Sequence, residues 1–138
     1  MTANDMQAAL ARDPSAFMRA AGLVLDEIGP AAVSGWIELG PEHHQPWGLV
    51  HGGVYTSAIE TAASVGASTA AAEHGLVAVG VNNNTNFARS MVAGRVWVKA
   101  APLQQGRTAQ LWEVRITDGD DRLVAIGQVR LQNVTPRS

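Results

Sequence analysis

Alternating apolar and polar residues predict that most of the chain forms β-strands. Residues 22–39 contain two strand-like runs separated by Gly29 and Pro30, which predicts a β-hairpin. Residues 33–39 alternate strictly, as expected for a strand with one buried face. Four further strand candidates follow residue 75, and the last three can form an antiparallel meander: residues 76–89, 92–103, 106–118 and 121–134.

Residues 54–74 interrupt this strand pattern. They are rich in alanine and contain no proline, and the run is too long for a strand, so the segment is predicted to be a helix. Gly66 and the alanines make this helix narrow, which allows close approach to a curved sheet. A shorter helix is predicted before residue 22, with Asp13 as its N-cap and Pro14 at its first position.

The element order is therefore β-β-α-β-β-β-β, an α+β fold in which one long central helix packs on an antiparallel sheet of about six strands. We expect residues 1–21 to form an N-terminal lead-in with the short helix and residues 22–138 to form a single domain. One helix covers only one face of the sheet. The other face, or the edge of the sheet, is expected to meet a partner subunit.

The amino-acid composition argues against several kinds of function. Only 16% of the 138 residues are charged, which agrees with a surface partly covered in an oligomer. The net charge of −2 argues against a nucleic-acid-binding protein. There is no cysteine, which excludes disulfides, thiolate nucleophiles and cysteine-based zinc sites. No secretory signal or membrane-length apolar segment is recognised, so we expect a cytoplasmic protein that does not bind a membrane.

Residues 45–64 hold the candidate chemistry. A helix that opens on Gly52 and Gly53 presents free backbone N–H groups and the positive end of its dipole to an electronegative atom. Glu60 lies further along this helix among Ala, Val and Ile, where a carboxylate is costly to bury unless it is paired. The combination predicts an oxyanion site and a base.

Several short motifs together resemble one known family. They are His44-Gln45-Pro46, the run Leu49-Val50-His51-Gly52-Gly53, Glu60, Ser64 and the Asn-rich strand that ends in Asn86-Phe87. Over residues 22–133 the chain resembles the hotdog-fold acyl-CoA thioesterases, in particular the branch with the phenylacetate-pathway and 4-hydroxybenzoyl-CoA thioesterases, which carry a helix-borne carboxylate. The resemblance implies a sheet wrapped around the helix, edge-to-edge homodimers that often pair into tetramers, and an acyl-CoA substrate.

The resemblance also implies roles for individual residues. Glu60 would be the nucleophile or general base, with Ser64 assisting beside it. The backbone N–H of Gly52 would bind the thioester oxygen, and Gln45 and His51 would help to hold that carbonyl group. His51 is equally able to act only as a helix cap.

The same resemblance suggests residues that bind the rest of the substrate. Arg89, Arg107 and Thr108 would reach the phosphates or the pantetheine arm of coenzyme A, and Gly53 and Asn83 would also contact the substrate. The run of residues 82–84 is unusual for a strand because Asn is a poor strand former; it is expected to mark a bulge, to line the mouth of the site or to satisfy backbone groups at the dimer seam. No cofactor is implied, since coenzyme A is part of the substrate. The histidines lack metal-ligand spacing, so no metal site is expected.

Helix geometry divides the site between two chains. Gly52 and Glu60 are eight residues apart, which is about 12 Å along a helix, too far for both to touch one carbonyl group. If two helices lie antiparallel across a dimer axis, Gly52 of one chain faces Glu60 of the other. Catalysis would then require the dimer.

Two other functions stay open. The chain could be a non-catalytic hotdog module that binds an acyl-CoA, although Glu60 argues against this. A hotdog dehydratase would need an Asp/His pair near the start of the helix, and the Asp is missing here. The sequence specifies the acyl group only as small, medium or aromatic.

Overall fold

The computed structural model describes residues 5, 8, 9 and 12–137, which form a six-stranded antiparallel sheet packed around one long helix. The predicted element order and the α+β hotdog fold are confirmed. The elements are α1 Ala16–Ala21, β1 Val24–Ile28, β2 Val33–Leu39, α2 Gly52–Ala72, β3 Val77–Phe87, β4 Gly94–Gln105, β5 Ala109–Thr117 and β6 Leu123–Val134.

The strands are ordered β1-β2-β4-β5-β6-β3 across the sheet. The hairpin of β1 and β2 and the meander of β4, β5 and β6 are confirmed. After α2, strand β3 pairs with β6 at the far side, so β3 is an edge strand. A register shift between Gly80 and Asn82 marks a bulge in this strand.

The inner face of the sheet forms the core with α2. Residues that alternate along β2, β4, β5 and β6 are fully buried: Val33, Ile37, Val96, Val98, Trp112, Val114, Ile116, Val129 and Leu131. The indole of Trp112 lies directly against Gly66 of α2, where a larger residue would collide with the ring. The Trp112 Nε1 donates to Gln110 Oε1 (2.8 Å), and Gln110 Nε2 donates to the backbone oxygen of Ala67 (3.0 Å). The narrow helix therefore does allow close approach of the sheet.

The N-terminal cap differs from the expectation. The N-cap of α1 is Ser15, whose hydroxyl accepts from the Met18 N–H (3.3 Å), and Pro14 precedes the helix. Asp13 lies two residues before this N-cap, where its carboxylate accepts from the Ser15 N–H (3.0 Å) and pairs with Arg19 (3.1 Å). Part of the predicted lead-in, residues 1–21, lies outside the described residues, and the division at residue 22 stays a prediction.

The long helix α2 begins two residues earlier than residue 54, since Gly52 and Gly53 form its first turn. It has 21 residues and carries Glu60 with several Ser and Thr. Among the helices that the structure describes, none combines the length and the apolar character needed to span a bilayer.

Candidate functional site

The first turn of α2 presents one free backbone donor. His51 is the N-cap, and its Nδ1 accepts a hydrogen bond from the Gly53 N–H (2.8 Å). The Val54 N–H donates to the His51 backbone oxygen (3.0 Å). Within residues 12–137 the N–H of Gly52 has no acceptor, so of these first donors it is the one available to a ligand. His51 thus acts as a cap, and the Gly53 N–H is already occupied.

A cleft of about 330 Å³ opens beside this turn. Its lining includes Gln45, Leu49, Gly52, Tyr55, Phe87 and Arg89. The Gln45 side-chain oxygen accepts from the Trp47 N–H (2.5 Å), and this holds the loop while its Nε2 has no acceptor in the described part of the chain. Gln45 Nε2 and the Gly52 N–H are therefore two donors on one cleft.

The side chain of Phe87 explains why position 52 is a glycine. A Cβ at Gly52 would lie 2.9 Å from the Phe87 ring, which also packs against Tyr55 with the ring centroids 6.3 Å apart. Gly52 lets the end of β3 close over the start of the helix. The sequence motif ending in Phe87 thus belongs to the wall of the cleft.

Tyr55 is a feature that the sequence analysis missed. The residue is 3% exposed, and its hydroxyl has no partner among the described residues. Burial raises the pKa of Tyr55 to about 12, so the phenol stays neutral. A single Tyr in an alanine-rich helix gives no sequence signal that its hydroxyl is buried without a partner.

Glu60 lies two turns further along α2, against the edge strand. Both of its carboxylate oxygens accept hydrogen bonds: Oε1 from Asn83 Nδ2 (3.1 Å) and Oε2 from the Ser64 hydroxyl (3.3 Å). The residue is half-buried, and its carboxylate lies over Gly80 of β3, where a Cβ would collide with it. The structure therefore brings together three of the predicted site residues, Glu60, Ser64 and Asn83.

Asn83 meets Glu60 rather than standing at an open rim, and a further residue orients it. The Asn83 Nδ2 also donates to the backbone oxygen of Thr56 (3.2 Å), and its Oδ1 accepts from the Thr85 hydroxyl (2.7 Å). Thr85 was not identified from the sequence, where a Thr within a strand is ordinary.

Arg89 follows β3 and lines the cleft beside Gly52. Its Nε lies 4.0 Å from the carboxylate of Asp118, which is only 4% exposed. The backbone N–H of Arg122 lowers the pKa of Asp118, helped by the Asp120 N–H and by the Arg122 guanidinium (2.9 Å), while burial opposes them. The charged Asp118 anchors the β5–β6 turn and holds Arg89 near the cleft.

The predicted pair Arg107 and Thr108 lies elsewhere. Both are exposed on the β4–β5 connection, where their backbone oxygens accept from Asn133. Neither lines the cleft at Gly52 within one chain. As for metals, no three His, Asp or Glu side chains converge within the described ranges.

The structure thus contains two half-sites on one helix. Gln45, Gly52 and Arg89 surround the cleft at its start, and Glu60 with Ser64 lies about 12 Å further along the axis. The first half offers donors to a carbonyl oxygen at a helix N-terminus. The second offers an oriented carboxylate able to act as a nucleophile or a base.

Comparisons with known proteins identify the family of this chain. The family model described as "Thioesterase superfamily" matches residues 48–125, more than half of the chain. The protein named "Putative esterase Rv1847" from Mycobacterium tuberculosis is 48% identical over 118 residues, which is 84% of each chain. Its solved structure superimposes with a TM-score of 0.85 over 90% of this chain and 100% of that one, at 46% identity.

A protein of Listeria monocytogenes named "1,4-dihydroxy-2-naphthoyl-CoA hydrolase" is 36% identical over 106 residues, covering 77% of this chain and 84% of that one. The matched residues 48–125 include the start of α2, Glu60 and the whole of β3. The predicted family is confirmed, while its particular branch stays a prediction. The chain therefore belongs to the thioesterase superfamily, and it is a thioester hydrolase with the hotdog fold.

Proposed function

We propose that this protein hydrolyses an acyl-CoA with a small, medium or aromatic acyl group to the free acid and coenzyme A. The observation that carries the proposal is the carboxylate of Glu60, both of whose oxygens accept hydrogen bonds at the edge of the sheet, on the same helix as the free N–H of Gly52. No cofactor is required, because coenzyme A belongs to the substrate. The name of the Listeria relative, a hydrolase of a bicyclic aromatic acyl-CoA, supports this substrate class.

The oxyanion is stabilised at the start of α2. The Gly52 N–H donates to the thioester oxygen, where negative charge develops, and Gln45 Nε2 provides a second donor. Donors of this kind contribute about 3 to 4 kcal/mol each in acyl-transfer sites, aided here by the positive end of the helix dipole. His51 supports this donor indirectly, since it occupies the Gly53 N–H and fixes the first turn.

Glu60 acts on the thioester by one of two routes, as a nucleophile or as a general base. In the first, its carboxylate attacks the thioester carbon, the C–S bond breaks, and water then hydrolyses the mixed anhydride to restore Glu60. In the second, Glu60 takes a proton from water as that water attacks, and the proton passes to the departing thiolate. Both routes consume one water. After a single turnover in ¹⁸O-labelled water, label in the Glu60 carboxylate identifies the anhydride route, because in the direct route all of the label enters the free acid.

The two half-sites are completed by a second copy of the chain. Strand β3 is an edge strand with an unpaired side, and it exposes Val77, Val79 and Val81 by 39%, 49% and 57%. An exposed apolar edge is expected to pair with another strand. Since Glu60 contacts β3 through Gly80 and Asn83, pairing along β3 brings the partner close to Glu60. The donors of one chain then serve the carboxylate of the other.

Three residues are proposed to bind coenzyme A. Arg89 stands at the cleft and binds a phosphate or the pantetheine arm there. Arg107 and Thr108 lie outside this cleft in one chain, so their predicted contact with coenzyme A requires the partner subunit. Assembly into a dimer of dimers and a cytoplasmic location stay predictions.

The first experiment measures thiol release from acetyl-CoA, hexanoyl-CoA and benzoyl-CoA. Glu60→Ala and Glu60→Gln are expected to lose nearly all activity, and Glu73→Gln, an exposed glutamate at the end of the same helix, serves as the matched control. Equal activity of Glu60→Ala and the natural protein would contradict the mechanism. Absence of release from every substrate would contradict the proposed function.

A complementation experiment tests the shared site. Gln45→Ala and Glu60→Ala are each expected to be impaired as homodimers. When equal amounts are mixed under exchange, half of the dimers are hybrids with one intact site, so about a quarter of the natural activity returns if the site is shared between chains. If Gln45 and Glu60 act within one chain, mixing restores nothing.

A further inference from the structure

The carboxylate of Glu60 is held from the edge strand as well as from its own helix. Ser64 lies one helical turn from Glu60 and donates to Oε2, as i,i+4 neighbours do. The second donor, Asn83 Nδ2, comes from β3 and contacts both Glu60 Oε1 (3.1 Å) and the Thr56 backbone oxygen (3.2 Å). The Asn83 amide therefore bridges the strand to two turns of α2.

The orientation of this amide is critical because its two ends have opposite chemistry. An amide nitrogen only donates and an amide oxygen only accepts. A flipped Asn83 would point its oxygen at Glu60 Oε1 and at the Thr56 oxygen, which are both acceptors, and would leave the carboxylate without a donor on that side. These two acceptors therefore set the orientation of the amide, and the Thr85 hydroxyl, which donates to Oδ1 at 2.7 Å, holds the oriented amide in place.

The hydrogen bonds from the Thr85 hydroxyl to the Asn83 amide and from this amide to Glu60 are called the relay below. The backbone leaves space for these side chains. Opposite Thr85 on β6 stands Gly127, where a Cβ would lie 2.7 Å from the Thr85 hydroxyl oxygen. The bulge after Gly80 places Asn83 and Thr85, two residues apart, on the same inner face. The hydroxyl, the amide and the carboxylate thus form one continuous chain of hydrogen bonds from β3 to α2.

We infer that Asn83 and Thr85 are positioning residues for the reaction, in which the Thr85 hydroxyl fixes the Asn83 amide and the amide fixes the plane of the Glu60 carboxylate. The inference rests on the proposed role of Glu60. Attack on a thioester carbon, or on the proton of a water, needs one carboxylate oxygen in a defined direction, and an error of about 1 Å can cost 100-fold in rate. With a donor on each oxygen, Glu60 cannot rotate freely about its last torsion.

The matched pair Thr85→Val and Thr85→Ser isolates the hydroxyl. Valine keeps the shape and removes the donor, and serine keeps the donor. In the full-length protein, with the best thioester of the three above, Thr85→Val is expected to lower kcat by roughly 10- to 100-fold with KM within about twofold, whereas Thr85→Ser restores most of kcat. If the Thr85 hydroxyl contacted the substrate directly, Thr85→Val would instead raise KM.

Thr69→Val controls for the loss of a hydroxyl as such. The Thr69 hydroxyl donates to the Val65 backbone oxygen (2.8 Å) on the same helix, away from Glu60, and the residue is buried. Its removal is expected to lower the thermal midpoint and to leave kcat unchanged. A parallel fall of kcat in Thr69→Val and Thr85→Val would overturn the inference, because the effect would then be general.

Asn83→Leu decides the matter if Thr85→Val does not fold. It removes the donor to Glu60 with little change of size, and the same loss of kcat is expected. Natural kcat in a folded Thr85→Val or Asn83→Leu protein, beside an inactive Glu60→Ala, would reject the relay while the proposed function stands. An active Glu60→Ala would instead reject the proposed function.

Discussion

Replacement of Gly66 by alanine tests the packing that brings α2 into the sheet. A methyl group at this position would lie closer than 3.0 Å to two carbons of the Trp112 six-membered ring, where carbon atoms normally approach to about 3.5 to 4.0 Å. Trp112 is fully buried, and its Nε1 donates to Gln110 Oε1. The ring therefore cannot withdraw without breaking a buried hydrogen bond.

The magnitude follows from two opposing terms. Alanine in place of glycine favours a helix by about 1 kcal/mol. Overpacking in a core costs about 1 to 3 kcal/mol, and disturbance of the Trp112 hydrogen bond adds about 1 to 3 kcal/mol. The net effect of Gly66→Ala is a decrease of about 3 kcal/mol in the free energy of unfolding, which corresponds to a Tm lower by about 10 °C for a chain of this size.

The assay is thermal unfolding at one fixed protein concentration, because the midpoint of the proposed dimer would depend on concentration. Trp112→Phe supplies the control, since the smaller ring leaves space for the methyl group. In the Trp112→Phe background, Gly66→Ala is expected to be neutral or stabilising, which gives a large coupling energy in a double-mutant cycle. If Gly66→Ala were as stable as the natural protein, the close approach of helix and sheet would be refuted.

Two further predictions concern single polar groups. Tyr55→Phe removes a buried hydroxyl that has no partner within the described part of the chain, and it is expected to raise the free energy of unfolding by about 1 kcal/mol in urea denaturation; a decrease would show that the hydroxyl has a hydrogen-bond partner in solution. Asp118→Asn is expected to be less stable than the natural protein at neutral pH, with the difference lost in acid. Because the folded-state pKa of Asp118 is below its ordinary value of 3.8, its contribution is present above about pH 4 and disappears as pH falls through the folded-state pKa; a gap in thermal midpoint that persists at lower pH would contradict this.

Most of the fold was predictable because hydrophobic periodicity reports it directly. Strict alternation in β2 predicted a strand with one buried face, and the alanine-rich segment predicted α2. The place of β3 at the edge of the sheet was harder to predict from the sequence. Its exposed valines resemble a buried strand in sequence, but in the single chain β3 lies at the edge of the sheet, where one side of the strand is unpaired.

The candidate site was predictable where its residues lie within one helix or one turn. Ser64 beside Glu60 follows from i,i+4 spacing, and the contact is observed. The free Gly52 N–H follows from its place at a helix N-terminus. His51 left two alternatives open, and the observed contact with the Gly53 N–H is that of a cap.

Contacts between distant elements were not predictable, and β3 shows the physical reason. Strict alternation from Ala78 and Gly80, which face the helix, would bring residues 82 and 84 to the inner face. The bulge after Gly80 inserts one residue and shifts the register, so Asn83 and Thr85 face inward instead. A shift of one residue exchanges the two faces of a strand. This shift cannot be recognised in the sequence, because residues 82–84 are all Asn and the pattern is the same in either register. The relay to Glu60 thus depends on one extra residue being taken up in the bulge: with Val81 left unpaired, Asn83 and Thr85 face α2, whereas a regular strand of the same sequence would present Asn82 and Asn84.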